Sequence, residues 1–460
     1  MSADAIVRFP EGFLWGSATS AHQVEGGNRW NDWWRFENRS EYIASDHRSG
    51  DACKHWEMFD RDFGLAAADG HTAHRFSLEW SRIEPERGRI DPAAVAHYHD
   101  VLASLRRHSI RPIVTLAHFT VPLWIANQGS WESQDTIDRF CEFVRFCARE
   151  YGGEVDWWCT INEPEVLAFR GWSEALWPPV VKDDSRALAV IGNQLVAHGR
   201  AFHILHDEDR IDADGDGAAA RVGFAKHYTP LLPLRWWSLL DRLRAWFENK
   251  AFNDAVLEAV TSGRITLAIP GRRGVRRQVP ELVGSLDWIG LNYYTRWYVN
   301  AIGGESHIAR RGANVTDMMW EIVPDGLADA AVRVAATGVP VIVTEHGFAD
   351  AEDRFRPRAL VDALTGLGRV IAAGTPVLGY MHWSLMDNFE WAEGFGPRFG
   401  LYRVDALTDP AGRERRRSAD VYARIIKANA ITPELAREVQ IGSGASHPVA
   451  ASSTSRNASP

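Results

Sequence analysis

Cysteine is scarce in this chain: 4 among 460 residues, at Cys53, Cys141, Cys147 and Cys159. None forms a C-x-x-C pair. A chain of this length builds a core without staples, so a disulfide scaffold is excluded and a reduced compartment is expected. Lysine is nearly absent too. Of 51 basic residues only Lys54, Lys182, Lys226, Lys250 and Lys427 are lysines. Arginine replaces them along the whole chain, a compositional habit and not a local patch. The formal net charge of -9 argues against a nucleic acid or an anionic membrane as partner. No apolar run approaches the ~18 residues of a membrane span. The opening stretch MSADAIVRFPEGF has no apolar leader core. A cytoplasmic protein with no membrane partner is the expectation.

What is present is ordinary in bulk and unusual in one respect. Hydrophobic residues make up 45% and charged residues 24%, which excludes disordered, fibrous and membrane classes. Tryptophan is the exception, with 20 against 10 tyrosines. A buried indole N–H needs a partner. The surplus points either to flat apolar surfaces that stack on ring ligands or to a large aromatic core, and composition leaves both open.

The length allows two or three domains, or one α/β barrel with long loops. Periodicity favours the barrel. Short apolar runs lie at 14–18, 73–77, 111–117, 155–161, 222–227, 288–293, 339–344 and 377–383. Each suits a strand buried on both faces. Helical patterns intervene, among them 92–108, 134–151, 184–208, 328–337 and 357–373. Eight alternations predict an α/β fold, a single (β/α)8 TIM barrel with long βα loops over residues 1–440. The small, polar stretch 441–460 predicts a disordered tail.

Two stretches read as surface features. The run from Asp212 to Gly217 copies the start of a calcium loop, but position 12 is Gly223 where a bidentate Glu belongs. A polar turn is expected there. The run from Arg413 to Arg417 reads as the solvated start of an amphipathic helix.

Chemistry in such a barrel sits at the C-terminal ends of the strands. Strand 4 ends Thr160-Ile161-Asn162-Glu163-Pro164 and strand 7 ends Thr344-Glu345-His346-Gly347. Two carboxylates would then face each other across the mouth, among Gln, Asn, His, Tyr and Trp side chains that hydrogen-bond and stack on a sugar. Paired carboxylates suit glycoside hydrolysis: one protonates the poor leaving oxygen, the other attacks or stabilises the cationic anomeric carbon. A lone Glu at a strand end is by default an ion-pair partner. Two, each followed by a helix or strand breaker, favour catalysis. No strand ends in a His-x-His pair, so neither a metal nor another cofactor is expected.

Five separated motifs resemble glycoside hydrolase family 1, the β-glucosidase-like family, across about residues 9–430. They are Phe13 to Gly26, His74 to Ile83, Thr160 to Pro164, Val343 to Gly347 and Trp383 to Trp391. The resemblance implies a retaining β-glycosidase. Glu163 would be the general acid/base and Glu345 the nucleophile, with their carboxyls about 5–5.5 Å apart. Arg75 and Tyr294 would keep Glu345 ionised, and Glu163 would start protonated in a drier, less cationic setting. Gln23, His118, Asn162, Glu390 and Trp391 would hold sugar hydroxyls, Trp383 would floor the sugar, and Asn292 would support the nucleophile region. Glu25, Trp15, Trp80 and Arg82 would be structural. Glu390 would repel a phosphate, so the expected substrate is an unphosphorylated β-glucoside, with galactoside and fucoside as alternatives.

The chain departs from the family at His346, where Asn is usual, and at Phe119, where Trp is usual. The stretches 169–179 and 236–269 are atypical as well. Trp172, Trp177, Trp236 and Trp237 would either wall the leaving-group side or pack under loops. A transglycosylase using the same intermediate and a noncatalytic sugar-binding barrel are the competing readings. The oligomeric state is left open.

Overall fold

The computed structural model describes residues 6–39, 41–302, 306–307 and 309–441. The expected tail, beyond Ile441, lies outside the described residues.

Eight parallel strands close into a barrel in chain order. They are β1 (Leu14–Ala18), β2 (Ala73–Ser77), β3 (Arg111–Ala117), β4 (Trp157–Asn162), β5 (Arg221–His227), β6 (Ile289–Asn292), β7 (Val341–His346) and β8 (Val377–Trp383). Gly379 to Trp383 of β8 pair with Leu14 to Ala18 of β1 and shut the ring. Crossover helices return the chain each time: α1 (His55–Ala68), α2 (Pro92–Arg107), α3 (Gln134–Tyr151), α4 (Asp184–Glu208), α5 (Leu239–Asn249), α6 (Gly326–Ala335), α7 (Arg356–Ala372) and α8 (Arg417–Ala428). The local reasons are readable. Asp91 accepts from Ala93 N and Ala94 N, and Pro92 opens α2 with an N–H it does not need. Asp183 caps α4 in the same way through Ser185 N and Arg186 N. The barrel strands are buried on both faces because helices cover the outside and side chains fill the inside.

Strand limits differ from expectation most at β7. Pro340 has no N–H to offer the ladder, although its carbonyl accepts from Ile289 N. The strand therefore starts at Val341 and runs on to His346. Glu345 lies within it, opposite Asn292 of β6, after a register shift between Val343 and His346 on the β8 side.

The arginine run leads into the helix as expected, with exposed Arg417 opening α8, but Arg413 and Arg416 are not solvated. Residues Asp409–Arg415 form a strand paired with Tyr402–Asp405. Arg413 is bound by Asp62 and by the Cys53 carbonyl. Arg416 makes a bidentate pair with Asp387, at 2.7 and 2.8 Å. Fixed carboxylates await these guanidiniums, so they are drawn inward. The Asp212 to Gly217 stretch is a surface turn: Asp212 accepts backbone N–H bonds from Gly215, Asp216 and Gly217, and Asp214 pairs with Arg111. The four cysteines are free and buried. Among the described residues no helix is long and apolar enough to cross a membrane.

Candidate active site

The C-terminal ends of the barrel strands bring the expected polar residues together. Arg75, on β2, is buried and reaches across the barrel mouth. Its Nη1 donates to Glu345 Oε1 at 2.5 Å, its Nη2 to Asn162 Oδ1 at 2.6 Å, and its Nε to Thr115 Oγ1 at 3.0 Å. Tyr294 donates from its hydroxyl to Glu345 Oε2 at 2.7 Å. Both oxygens of Glu345 thus meet donors. This arrangement favours the carboxylate anion.

Glu163 sits just past β4 in the left-handed region, with φ 44. Its N–H donates to the Ala225 carbonyl, and Pro164 starts the short helix Pro164–Ala168. A non-glycine residue held this way costs of order 1–3 kcal/mol and needs surrounding structure to fix it. Asn292 helps to do so. Its Nδ2 donates to Glu163 Oε1 at 2.7 Å and to Asn162 Oδ1 at 3.1 Å, while Thr344 Oγ1 donates to its Oδ1. The side chain of Asn292 therefore bonds Glu163 directly and also meets Thr344, the residue before Glu345. Asn292 lies opposite Glu345 in the backbone ladder; its amide oxygen accepts from β7 and its amide nitrogen donates toward β4.

The setting of Glu163 differs from expectation. His227, the last residue of β5, places Nδ1 3.0 Å from Glu163 Oε1. No motif covers the end of β5, so His227 was not among the expected site residues; its position at a strand end was the available signal. Burial is the largest influence on both carboxyls. It pushes Glu345 up to about 7, with the charge of Glu163 adding to the rise and Arg75 and Tyr294 opposing it. For Glu163 burial is outweighed by His227, Asn292 and Arg75, which bring it below the ordinary glutamate value. Where a less cationic setting is expected for Glu163, the Arg75 guanidinium and the His227 imidazole both face it.

The remaining residues line one wall. Gln23 Nε2 donates to Asn388 Oδ1, to the Phe389 carbonyl and, at 3.4 Å, to Glu390 Oε2. Burial pushes Glu390 up to about 8, the charge of Glu345 adds to this, and the Trp383 indole N–H bond opposes it. His118 is stacked with Trp383 and with Trp391, ring centroids 6.2 Å apart in each case. Its Nε2 lies 3.3 Å from Asn162 Nδ2, and burial keeps the ring neutral. The loop bearing Glu390 is anchored from behind by Arg416 through Asp387.

The residues expected to be structural are so placed. Arg82 pairs with Glu25 at 2.8 Å, Tyr98 donates to Glu25, and the Trp15 indole donates to Asn429. His346 points away from the cleft, with Nδ1 2.8 Å from the Tyr380 hydroxyl and its ring stacked on Tyr293. Phe119 packs against Trp177 and Trp391.

The four tryptophans in doubt separate into two kinds. Trp172 is buried and donates to Glu132. Trp177 packs on Trp33, 5.2 Å between centroids, and on Trp391. A cavity of about 720 Å³ opens beside it, lined by Phe36, Tyr42, Pro178 and Val180 among others. Neither Glu163 nor Glu345 lines that cavity. Trp236 and Trp237 are 77% and 67% exposed, so they pack under no loop.

Known proteins resemble this chain over most of its length. The model of glycosyl hydrolase family 1 matches residues 6–431. A β-galactosidase of Pyrococcus woesei is 29% identical over 94% of this chain and 100% of its own length. Beta-glucosidase A of Acetivibrio thermocellus is 30% identical over 92% of this chain and 99% of its own. Among solved structures, a β-glycosidase from Pyrococcus horikoshii superposes with a TM-score of 0.85 at 35% identity, covering 95% of this chain and 98% of that one.

Proposed function

The chain belongs to glycosyl hydrolase family 1 and is a β-glycosidase; on that premise we propose that it removes terminal nonreducing β-D-glucosyl residues with retention of configuration. The carrying observation is the single buried network that links Glu163 and Glu345 through Asn292, Asn162 and Arg75.

In this reading Glu345 attacks the anomeric carbon while Glu163 protonates the glycosidic oxygen. The bond from C1 to the leaving oxygen breaks, and a glycosyl ester forms on Glu345. Glu163, now an anion, takes a proton from water as the water oxygen displaces Glu345 from C1. The resting proton has to lie on Glu163. Two buried carboxyls that share a proton titrate as a pair: Arg75 and Tyr294 draw the negative charge to Glu345, while His227 and Asn292 draw it to Glu163, and this mechanism requires the Arg75 and Tyr294 contacts to prevail in the substrate complex.

Gln23 and Glu390 stand side by side to bind hydroxyls at the far end of the sugar, with His118 and Trp391 beside them. Trp383 offers the floor, and Asn162 lies where the 2-hydroxyl would be bonded. A carboxyl at position 390 suits the 4- and 6-hydroxyls of glucose, and galactose or fucose is the alternative occupant. The relatives' names include both a glucosidase and a galactosidase, so the sugar is assigned here on Glu390 and Gln23 alone.

The test is a Glu345→Gly variant assayed on an aryl β-glucoside with added azide. Loss of hydrolysis and recovery as the α-glucosyl azide is the expected outcome. A β-azide would reverse the assigned roles, and a parent faster on the aryl β-galactoside would overturn the glucosyl preference. An added alcohol acceptor measures how much of the intermediate passes to an alcohol instead of water.

A further inference from the structure

Two hydrogen-bond donors meet one oxygen of Glu163. Asn292 Nδ2 lies 2.7 Å from Oε1, and His227 Nδ1 lies 3.0 Å from the same atom. No contact from either reaches Oε2. The histidine is itself held. Its Nε2 lies 2.7 Å from Thr229 Oγ1, its ring is stacked on Tyr294 at 6.2 Å and 25°, and the Phe252 ring meets it edge-on at 6.0 Å. A carboxylate oxygen accepts and does not donate, so Nδ1 is the donor toward Glu163 Oε1, and Thr229 Oγ1 meets the ring from its Nε2 edge. Tyr294, on the other face of the ring, is the residue that donates to Glu345. One imidazole therefore touches the machinery of both carboxylates.

We propose that His227 is a positioning residue for acid/base catalysis: with Asn292 it ties down Glu163 Oε1, so that Oε2 is the atom that gives the proton to the leaving oxygen and later takes one from water. This rests on the glycosidase reading of the two carboxylates. The proton balance follows directly. In the first half-reaction the Oε2–H bond breaks as the leaving oxygen gains the proton, and the resulting anion is stabilised at Oε1 by two N–H donors already in place. In the second, water gives its proton to Oε2 and its oxygen to C1. The fixed donors need no rearrangement between the two steps.

Several charged groups face this pair. Arg75, on β2, and Glu345, on β7, both interact electrostatically with Glu163. Lys226 neighbours His227 on β5 and is held by buried Glu165, with Nζ to Oε1 at 2.6 Å. Lys226 also lies 5.1 Å from the Phe252 ring centroid. None of these contacts Oε2 of Glu163.

Leaving-group chemistry separates positioning from mere support. A phenyl β-glucoside needs its oxygen protonated, whereas a 2,4-dinitrophenyl β-glucoside leaves without help. His227→Ala is expected to lower kcat/KM about 10- to 100-fold on the phenyl glucoside and by less than about threefold on the dinitrophenyl glucoside. His227→Asn, which keeps a side-chain N–H, recovers part of the loss. The alkaline limb of the phenyl glucoside profile moves to higher pH in the alanine variant, because a donor that lowered Glu163 is gone. A parent that hydrolyses neither glucoside overturns the glycosidase reading and this one with it. A parent active on both, with His227→Ala lowering the two alike, overturns this one alone.

Discussion

Arg75 Nη1 lies 2.5 Å from Glu345 Oε1, with both side chains almost wholly buried. The guanidinium also holds Asn162, so one residue fixes partners from β4 and β7 at once. Breaking a buried pair costs about 3–5 kcal/mol, because the orphaned charge stays behind. Arg75→Met is therefore expected to lower thermal stability and to reduce kcat by about 10²–10³. Arg75→Lys loses the second contact, since a lysine has no fork, and is expected to fall between parent and Arg75→Met. A melting curve and aryl glucoside kinetics on the same preparations check both.

Tyr294→Phe tests the electrostatics of Glu345 without moving a charge. The phenol opposes a carboxyl that burial has pushed up to about 7. Removing it raises that value further, so the ionised nucleophile appears later as pH rises. The acid limb of kcat/KM is expected to move to higher pH by up to about one unit. A limb that stays fixed, or moves to lower pH, contradicts Glu345 as the group that must ionise.

Much of the barrel is legible in the chain because a strand buried on both faces leaves a short apolar run with a polar end. β1, β2, β3 and β8 have the expected limits for that reason. β7 is less legible. Pro340 delays it, and a register shift admits Glu345 to the strand, and neither effect has a periodic signature. Glu163 and Glu345 are legible through their motifs. His227 is not, because an imidazole after a lysine at a strand end has no pattern of its own. The arginines at 413 and 416 mislead for a different reason. Their charge reads as solvent-facing, while the carboxylates that draw them inward, Asp62 and Asp387, are far away in sequence.

Glu390→Ser separates recognition from chemistry. The carboxyl lies 3.4 Å from Gln23 Nε2 and bonds to the Trp383 indole, on the wall away from Glu163. Its loss is expected to raise KM for an aryl β-glucoside about 10- to 100-fold. The preference among glucoside, galactoside and fucoside is expected to flatten, because these sugars differ at the hydroxyls Glu390 would reach. Equal loss on all three sugars would remove Glu390 from the recognition of the 4- and 6-positions.

Arg416→Ala probes how the residue that precedes α8 sets the sugar wall. Arg416 meets Asp387 through two bonds and also donates to the Gly400 carbonyl. Asp387 in turn accepts from Gly400 N and Val404 N. Removing the guanidinium leaves a buried carboxylate with backbone donors only, so a stability loss of about 3–5 kcal/mol is expected. Asp387 is three residues from Glu390, and Asn388 between them receives the Gln23 amide. A loosened loop should therefore raise KM more than it lowers kcat, since Glu163, just past β4, and Glu345, on β7, keep their partners. The double variant Asp387→Asn with Arg416→Ala removes both charges together. It is expected to recover part of the lost stability, because no uncompensated charge is then buried. It should leave KM raised, because the loop still lacks its anchor. Thermal melting and steady-state kinetics on the three variants distinguish this from a purely structural role, in which KM would follow stability back toward the parent.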